Sequence, residues 1–160
     1  MKIAIISDSH DNETQVKDVV KLFNTKVKPD AVIHCGDLIS PFMVKALNAL
    51  KCPVYICFGY QDVIMGMQYM NTKANHVHLF TRLGEIKEEK IAFTHTPIIA
   101  KALAKTGDYK AVFHGHTHVS NKEKIGDCWL VNPGELMGRK GKPSYAIYNT
   151  KKDTVDIKNL

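Results

Sequence analysis

Short apolar runs alternate with amphipathic segments along the first part of the chain. Three runs rich in β-branched residues predict strands buried on both faces, Lys2–Ser7, Ala31–Cys35 and Val54–Phe58. Between them, Glu13–Asn24 and Pro41–Leu50 place apolar residues at helical spacing. Asn12 and Ser40 precede these segments as expected N-caps, and Pro41 suits the first helical position. The alternation predicts a parallel sheet covered by helices.

The rest of the chain carries a different pattern. Seven further segments have the composition of strands: Leu83–Glu88, Lys90–Thr94, Ala111–His114, Val119–Ile125, Cys128–Val131, Ser144–Tyr148 and Thr154–Lys158. A helix is expected over Pro97–Lys105, and Gly126-Asp127 and Asn149–Asp153 predict turns between neighbouring strands. We therefore expect this part to be mostly antiparallel. No repeat or linker is evident, so residues 1–160 are predicted to form one domain.

Composition excludes several classes of protein. The 160 residues are 44% hydrophobic and 24% charged, which excludes disorder. No apolar run approaches the roughly 20 residues of a membrane span, and the first residues lack a signal-peptide pattern, so a cytoplasmic protein is expected. The net charge of +6 is compatible with an anionic partner such as nucleic acid, but the basic residues are scattered, as on an ordinary lysine-rich surface. The four cysteines form no C-x-x-C pair and are expected to be free thiols, most of them in the core.

Acidic and histidine side chains follow five of the predicted strands. They are Asp8 and His10, Asp37, Asp62, His95, and His116 with His118. Because ligands bind at the carboxyl ends of strands in such sheets, we expect these side chains to meet at one edge. Separately, Asp8 and Asp37 could each cap the following turn or helix. Together the residues predict a metal site.

The donor types restrict the metal. Two carboxylates and several imidazoles suit manganese, iron, zinc, cobalt or nickel, with one or two ions per chain. An oxygen of Asp37 could bridge two ions about 3.5–4 Å apart, and a water between them would ionise near neutral pH and act as nucleophile. Three other histidines are not expected to bind the metal directly. His34, within a strand, is either structural or a neighbour of the metal ligands, and His76 and His78 are expected in a polar surface loop. His114, at a strand end, is compatible with a packed core position.

The order of these blocks resembles the calcineurin-like metallophosphoesterase superfamily, and most closely its small single-domain prokaryotic phosphodiesterases. The blocks are Asp8-Ser9-His10, Gly36-Asp37, Gly59-Tyr60-Gln61-Asp62, His95 and Gly115-His116-Thr117-His118. The resemblance covers nearly the whole chain. It implies an α/β fold, a four-layer αββα sandwich of two mixed β-sheets flanked by helices. It also implies a metal-dependent phosphodiesterase in which a metal-bound hydroxide attacks the phosphate ester.

The resemblance also implies roles for single residues. Asp8, His10, Asp37 and His118 would hold the first ion; Asp37, His95 and His116 would hold the second and act in catalysis. Divalent manganese is the first metal expected, and no organic cofactor is implied. Asp62 is expected to orient a ligand imidazole, and Asn132-Pro133-Gly134 resembles a late structural turn of the family.

Two positions depart from the family pattern. Tyr60 stands where the family has an asparagine ligand, which weakens the second metal site. Gln61 stands where many members have a histidine that protonates the leaving group, so good leaving groups should be preferred. The alternative is a non-catalytic scaffold or binding module of the same fold, like the retromer subunit.

The partners follow from the same resemblance. A small phosphodiester or nucleotide is the expected substrate. Nucleic-acid processing is a weaker alternative, because no stripe of aromatic and basic residues supports it. The apolar residues Met65, Met67, Tyr69 and Met70 fit a core segment or a homo-oligomer contact.

Overall fold

Two β-sheets and four α-helices make up the described part of the chain, which in this computed structural model is residues 1–70 and 76–160, without the side chains of Tyr69 and Met70. The strands are β1 (Lys2–Ile6), β2 (Ala31–His34), β3 (Val54–Cys57), β4 (Val77–Phe80), β5 (Leu83–Ile86), β6 (Ile91–Thr94), β7 (Ala111–Phe113), β8 (Asn121–Ile125), β9 (Cys128–Asn132), β10 (Ser144–Asn149) and β11 (Thr154–Asn159). The helices are α1 (Glu13–Leu22), α2 (Pro41–Leu47), α3 (Ile64–Met70) and α4 (Pro97–Ala104).

The first sheet has the strand order β11-β10-β1-β2-β3-β4. Strands β1 to β4 are parallel, as the alternation of strands and helices predicts. The last two strands of the chain return to this sheet, where β10 pairs antiparallel with β1 and β11 with β10. The sheet is therefore mixed.

The expectation of a mostly antiparallel second half is confirmed, because four of the six pairings that strands β5 to β11 make among the described residues are antiparallel. The second sheet has the order β5-β6-β7-β9-β8 and is mixed. Its three central strands, β6, β7 and β9, are parallel. Only the edge strands β5 and β8 pair antiparallel. The reason lies in the hairpin at Gly126-Asp127: β9 is almost entirely buried, whereas β8 is polar and exposed, so the apolar strand takes the inner place beside β7.

Four layers result from the packing of these elements. One apolar cluster fills the space between the sheets and includes Ile5, Ile33, Phe93, Phe113 and Tyr148. A second cluster packs the other face of the first sheet against α1, α2 and α3. A third packs α4 on the outer face of the second sheet. The predicted αββα sandwich is confirmed.

The helices begin where expected but differ in length. Asn12 caps α1, since its side-chain oxygen accepts a hydrogen bond from the Gln15 N–H at 3.2 Å. After Leu22 the chain continues through a π-helical turn, Phe23–Val27. Helix α2 ends three residues before the predicted Leu50, and Ser40 precedes it without a side-chain cap bond.

Two elements were not expected from the sequence, helix α3 and strand β4. His78 is exposed, as expected, but it lies in β4 and not in a loop, and its ring stacks on Tyr55 at 4.9 Å. Within α3, Met67 is buried and Met65 is 84% exposed. The side chains of Tyr69 and Met70, which belonged to the same prediction, lie outside the described residues.

Two further sequence expectations can be compared with the structure. All four cysteines are free; Cys35, Cys57 and Cys128 are buried and Cys52 is partly buried. Among the helices described, none combines the length and apolar character that crossing a bilayer requires.

Candidate metal centre

The carboxyl ends of β1, β2, β6 and β7 bring side chains from both sheets to one edge of the molecule. Asp8 follows β1 and Asp37 follows β2, both in the first sheet, and His95 follows β6 in the second. His10 Nε2 lies 3.6 Å and His95 Nε2 lies 3.4 Å from the same oxygen, Asp37 Oδ2. Asp37 is thus the point at which groups from the two sheets converge.

Two groups of these residues place their donor atoms close enough to share an ion. Asp8, His10 and His118 form the first group, and Asp8, Asp37 and His95 form the second; in each, the ligand atoms lie within 4.8 Å of one another. His118 Nε2 is 3.4 Å from Asp8 Oδ1, and His10 Nε2 is 3.8 Å from that oxygen. Either group could hold a transition-metal ion.

His116 is the sequence-predicted residue that neither group includes. Its side chain is exposed, and its ring lies 5.2 Å from the His95 ring, edge to face. Its backbone N–H donates to the Asp8 carboxylate, 3.1 Å from Oδ2. His116 therefore borders the cluster beside His95 and anchors the loop that carries His118.

Left-handed backbone is concentrated at this cluster. Five of its residues have positive φ angles: Asp8 (53°), His10 (41°), Asp37 (56°), His116 (73°) and His118 (63°). Such conformations cost of order 1–3 kcal/mol each in non-glycine residues and persist where the surroundings fix them. Here backbone hydrogen bonds fix them, from Asp8 N–H to the Gly36 carbonyl and from His10 N–H to the Asp37 carbonyl, both 3.0 Å.

Glycines allow the loops to approach the two carboxylates. A Cβ atom on Gly115 would lie 2.0 Å from Ser7 Oγ and 2.7 Å from Asp8 Oδ2. A Cβ atom on Gly59 would lie 2.0 Å from Asp37 Oδ1. Neither clash is tolerable, so glycine at both positions is a requirement of the site's geometry.

Hydrogen-bond acceptors behind the imidazoles of His95 and His118 fix the orientation of these rings. His95 Nδ1 lies 2.8 Å from the Cys35 carbonyl, which can only accept, so Nδ1 carries the proton and Nε2 presents a lone pair. His118 Nδ1 lies 2.7 Å from Glu135 Oε2 in the same arrangement. Buried Nε2 atoms of His10 and His95 have no hydrogen-bond partner among the described residues. Buried polar atoms without partners are rare, and here they face the same carboxylate.

Glu135, in place of Asp62, is the carboxylate hydrogen-bonded to an imidazole of the cluster, that of His118. Both oxygens of Asp62 accept backbone N–H groups, those of Gly59 at 2.7 Å, Leu38 at 2.7 Å, Ile39 at 2.7 Å and Asp37 at 3.1 Å. Asp62 thus fixes the loop of Asp37, and the hydrogen bonds described for its oxygens come from the backbone and not from an imidazole.

Glu135 is a site residue that sequence reasoning missed. It directly follows Asn132-Pro133-Gly134, and it is buried against His118. A carboxylate directly after that turn was the signal available in the sequence. The Asn132 amide also supports the site, because it donates to the Gly115 carbonyl at 3.0 Å and to Thr117 Oγ1 at 2.9 Å.

Both central carboxylates are anions. Burial would raise the pKa of Asp37, but the proximity of His95, the Gln61 N–H and the proximity of His10 lower it to about 2. Burial likewise opposes ionisation of Asp8, and the nearby polar groups of His10 and Ser7 lower its pKa below the usual value. Two neighbouring anions surrounded by imidazoles form an environment suited to a cation.

The remaining histidines near the site are structural. Burial lowers the pKa of His34 to about 3, so its ring is neutral; its Nδ1 accepts the Gly36 N–H at 3.1 Å. Burial also lowers the pKa of His114. Neither is a proton donor at neutral pH.

Tyr60 occupies the outer side of the cluster. Its ring lies 5.3 Å from the His95 ring and 5.2 Å from the His116 ring, both edge to face. Its hydroxyl is hydrogen-bonded to Thr96 Oγ1 at 2.9 Å, although 56% of the residue is exposed. The side chain that replaces the expected asparagine therefore packs on the imidazoles and directs its oxygen to Thr96.

Comparisons with known proteins agree with this geometry. Residues 1–153 match the model of the calcineurin-like phosphoesterase superfamily domain. A phosphodiesterase of Methanocaldococcus jannaschii is 31% identical over 95% of both chains. A probable metallophosphoesterase of Bacillus subtilis is 22% identical over 99% of this chain and 89% of its own.

Solved structures show the same fold. An archaeal phosphodiesterase superposes with a TM-score of 0.90 at 30% identity, covering 100% of both chains. Vps29 of Chaetomium thermophilum superposes with a TM-score of 0.69 at 16% identity, over 100% of this chain and 97% of its own, a likeness of fold alone. The chain belongs to the calcineurin-like phosphoesterase superfamily and is a metallophosphoesterase.

Proposed function

We propose that residues 1–160 act as one domain, a metal-dependent phosphodiesterase that cleaves a small phosphodiester or nucleotide. The observation that carries the proposal is the convergence of two unpartnered imidazole nitrogens, His10 Nε2 and His95 Nε2, on Asp37 Oδ2. The other oxygen, Asp37 Oδ1, accepts the Gln61 N–H at 3.3 Å. Oδ2 is thus free to bridge two positions, one beside each imidazole.

The ligand sets follow from these distances and from the family pattern. For the first ion we assign Asp8, His10, Asp37 and His118, and for the second Asp37, His95 and His116. Carboxylates with imidazoles suit manganese and also iron, zinc, cobalt or nickel, and manganese is the first to test. When bound, such ions supply a Lewis acid and an activated water.

Other residues of the chain orient the proposed metal ligands. Glu135 and the Cys35 carbonyl hold His118 and His95 in one orientation, and Asp62 holds the loop of Asp37. His95 and His116 border the place where phosphoryl oxygens would bind. The Gln61 side chain has no proton to give to a leaving group at neutral pH, so we expect a preference for esters of acidic alcohols.

The phosphodiesterase assignment draws support from two relatives named for that activity. The M. jannaschii enzyme and the archaeal structure are 31% and 30% identical to this chain, respectively. The four free cysteines fit a reducing compartment, so we propose the cytoplasm as its location.

The experiment is hydrolysis of bis(p-nitrophenyl) phosphate with added manganese, with Asp37→Asn as the matched variant. This ester has a good leaving group and does not require an acid catalyst. We expect turnover by the native chain and a loss of at least about 100-fold in Asp37→Asn, since the bridging carboxylate is removed. Circular dichroism establishes that the variant is folded.

A non-catalytic module is the second candidate, and Tyr60 in place of the asparagine ligand favours it. Its expected result is bound metal, measured by calorimetry, without turnover for manganese, nickel, zinc, cobalt or iron. That outcome would overturn the phosphodiesterase proposal.

A further inference from the structure

A cleft adjoins the candidate metal centre on the side of His95. It has a volume of about 400 Å³, and its lining includes Tyr60, Ile64, Thr81, Arg82, His95 and Thr96. Volumes of this size accommodate small organic ligands. Because His95 belongs to both the cleft and the metal centre, a phosphodiester held at the centre would extend one substituent into this cleft.

Tyr60 forms a fixed aromatic wall of the cleft. Its hydroxyl is held by Thr96 at 2.9 Å, and its ring packs edge to face on two imidazoles. Despite these contacts the residue is 56% exposed. An exposed aromatic ring held in one orientation is suited to stacking with a planar group such as a nucleobase.

Arg82 supplies a positive charge to the same cleft. It lies between β4 and β5, and its carbonyl accepts the Thr94 hydroxyl at 2.7 Å, which fixes the backbone at this point. Its side chain is exposed, and no carboxylate within residues 1–70 and 76–160 forms an ion pair with it.

Among the described residues that line the cleft, the carboxylate that accompanies Arg82 is hydrogen-bonded to the backbone. Asp62 also borders the cleft, but its two oxygens are occupied by four backbone N–H groups. An unpaired guanidinium beside hydroxyl groups and an aromatic ring is the arrangement that binds a phosphate attached to a planar group.

We propose that Tyr60 and Arg82 form a substrate subsite that binds a nucleotide substituent, Tyr60 contacting its base and Arg82 a second phosphate. The inference rests on the proposed phosphodiesterase function and narrows its substrate to phosphodiesters in which one substituent carries a further phosphate. Arg82 and Tyr60 determine specificity in this scheme, and neither takes part in the bond-breaking step.

Calorimetric titration of the manganese-loaded protein tests whether the Arg82 side chain binds a second phosphate. The probes are adenosine 5′-monophosphate and adenosine 3′,5′-bisphosphate, which differ by one phosphate. We expect the bisphosphate to bind about tenfold more tightly, the strength of one charge-assisted contact, and Arg82→Gln to reduce the ratio to about one. An unchanged ratio in Arg82→Gln, or equal affinities in the native chain, would overturn the subsite.

The matched control is Lys151→Gln, which removes one positive charge elsewhere. Lys151 lies in the turn between β10 and β11, next to the amino end of β1 and therefore at the edge opposite the metal centre. We expect this variant to keep the tenfold ratio. If Arg82→Gln and Lys151→Gln both bound the two probes with equal affinity, the net charge of the protein, and not Arg82, would discriminate between them.

A second titration tests the aromatic wall. Adenosine 5′-monophosphate and ribose 5-phosphate differ by the base, and stacking on one aromatic side chain is worth about fivefold or more. We expect Tyr60→Leu to abolish this preference, with the fold verified by circular dichroism. If Tyr60→Leu keeps the preference, the base does not contact Tyr60.

Hydrolysis of bis(p-nitrophenyl) phosphate by the same preparations separates the two proposals. Turnover without any effect of Arg82→Gln on the bisphosphate ratio would overturn the subsite and leave the phosphodiesterase intact. If the protein shows no turnover but its preference for the bisphosphate over the monophosphate still depends on Arg82, the subsite is supported and the enzymatic function is overturned.

Discussion

The imidazole of His118 lies between two carboxylates. Its Nδ1 is 2.7 Å from Glu135 Oε2, and its Nε2 is 3.4 Å from Asp8 Oδ1. Burial would raise the pKa of Glu135, but the hydrogen bond from His118 and the N–H groups of Gly141 and Lys140 bring it below the usual value. Glu135 is therefore a fixed anion that holds the far side of a proposed ligand ring.

Substitution Glu135→Gln should weaken metal binding without removing a proposed ligand. Loss of such a supporting carboxylate typically costs about 10- to 100-fold in affinity, because the ring is less well oriented and less basic. Manganese titration by calorimetry measures the effect. Glu123→Gln on the exposed strand β8 is the control and should bind as the native chain does. Equal affinity in both variants would contradict the role of Glu135.

A methyl group at residue 115 should disrupt the centre. In Gly115→Ala the new Cβ would collide with Ser7 Oγ at 2.0 Å and with Asp8 Oδ2 at 2.7 Å, so the loop of His116 and His118 must move away from Asp8. We expect manganese binding to fall below detection and thermal stability to decrease. Gly141→Ala is the control, because a Cβ there meets nothing within 4 Å. Native metal affinity in Gly115→Ala would show that the loop can shift without cost.

The positions of the site residues could be predicted largely because they follow strands. Asp8, Asp37 and His95 each come soon after a buried apolar run, and the carboxyl ends of those strands meet at one edge. That rule needs only the order of strands and helices. It does not require knowledge of which of the two sheets a strand joins.

Supporting contacts could not be predicted in the same way. Glu135 contacts a histidine 17 residues earlier, and only the folded path of the chain brings them together. Asp62 matched a family position, but its partners are backbone N–H groups, which a sequence does not specify. Strand β9 pairs with β7 because β9 is more apolar than its neighbour β8, and this requires a comparison of the two strands. Patterns along the chain thus predicted which acidic and histidine side chains meet at one edge, whereas the groups that hold them in place depend on tertiary packing.

Asp62→Asn should loosen the loop that carries Asp37. An amide offers one acceptor oxygen where the carboxylate offers two, and four N–H groups depend on them. A buried donor without a partner costs about 1–3 kcal/mol, which lowers the melting temperature by about 2–10 °C in a chain of this size. Differential scanning calorimetry measures this. Asp127→Asn in the exposed β8–β9 turn is the control and should melt as the native chain does.

Cysteine alkylation should distinguish the four thiols by burial. Burial raises the pKa of Cys57 to about 12 and that of Cys128 to about 11, and it raises that of Cys35 well above the usual value. Cys52 is only partly buried. Because the thiolate is the reactive form, iodoacetamide should add one group to the native protein, at Cys52, and four after denaturation.

Intact-mass spectrometry counts the added groups, and Cys52→Ser should give none in the native state. Rapid labelling of Cys35 or Cys57 without denaturant would mean that the layer between the two sheets opens in solution, since both thiols are buried there.

Tyr60→Asn tests why the second ion site differs from the family pattern. The tyrosine oxygen is directed to Thr96 at 2.9 Å, so the side chain offers no donor to an ion beside His95 and His116. An asparagine carbonyl is a compact neutral ligand that could complete that site. We expect Tyr60→Asn to bind a second manganese ion more tightly in calorimetry and to raise kcat for bis(p-nitrophenyl) phosphate. Tyr60→Phe, which loses only the contact with Thr96, should change neither. A variant that binds two ions without any gain in kcat would show that occupancy of the second site does not limit turnover.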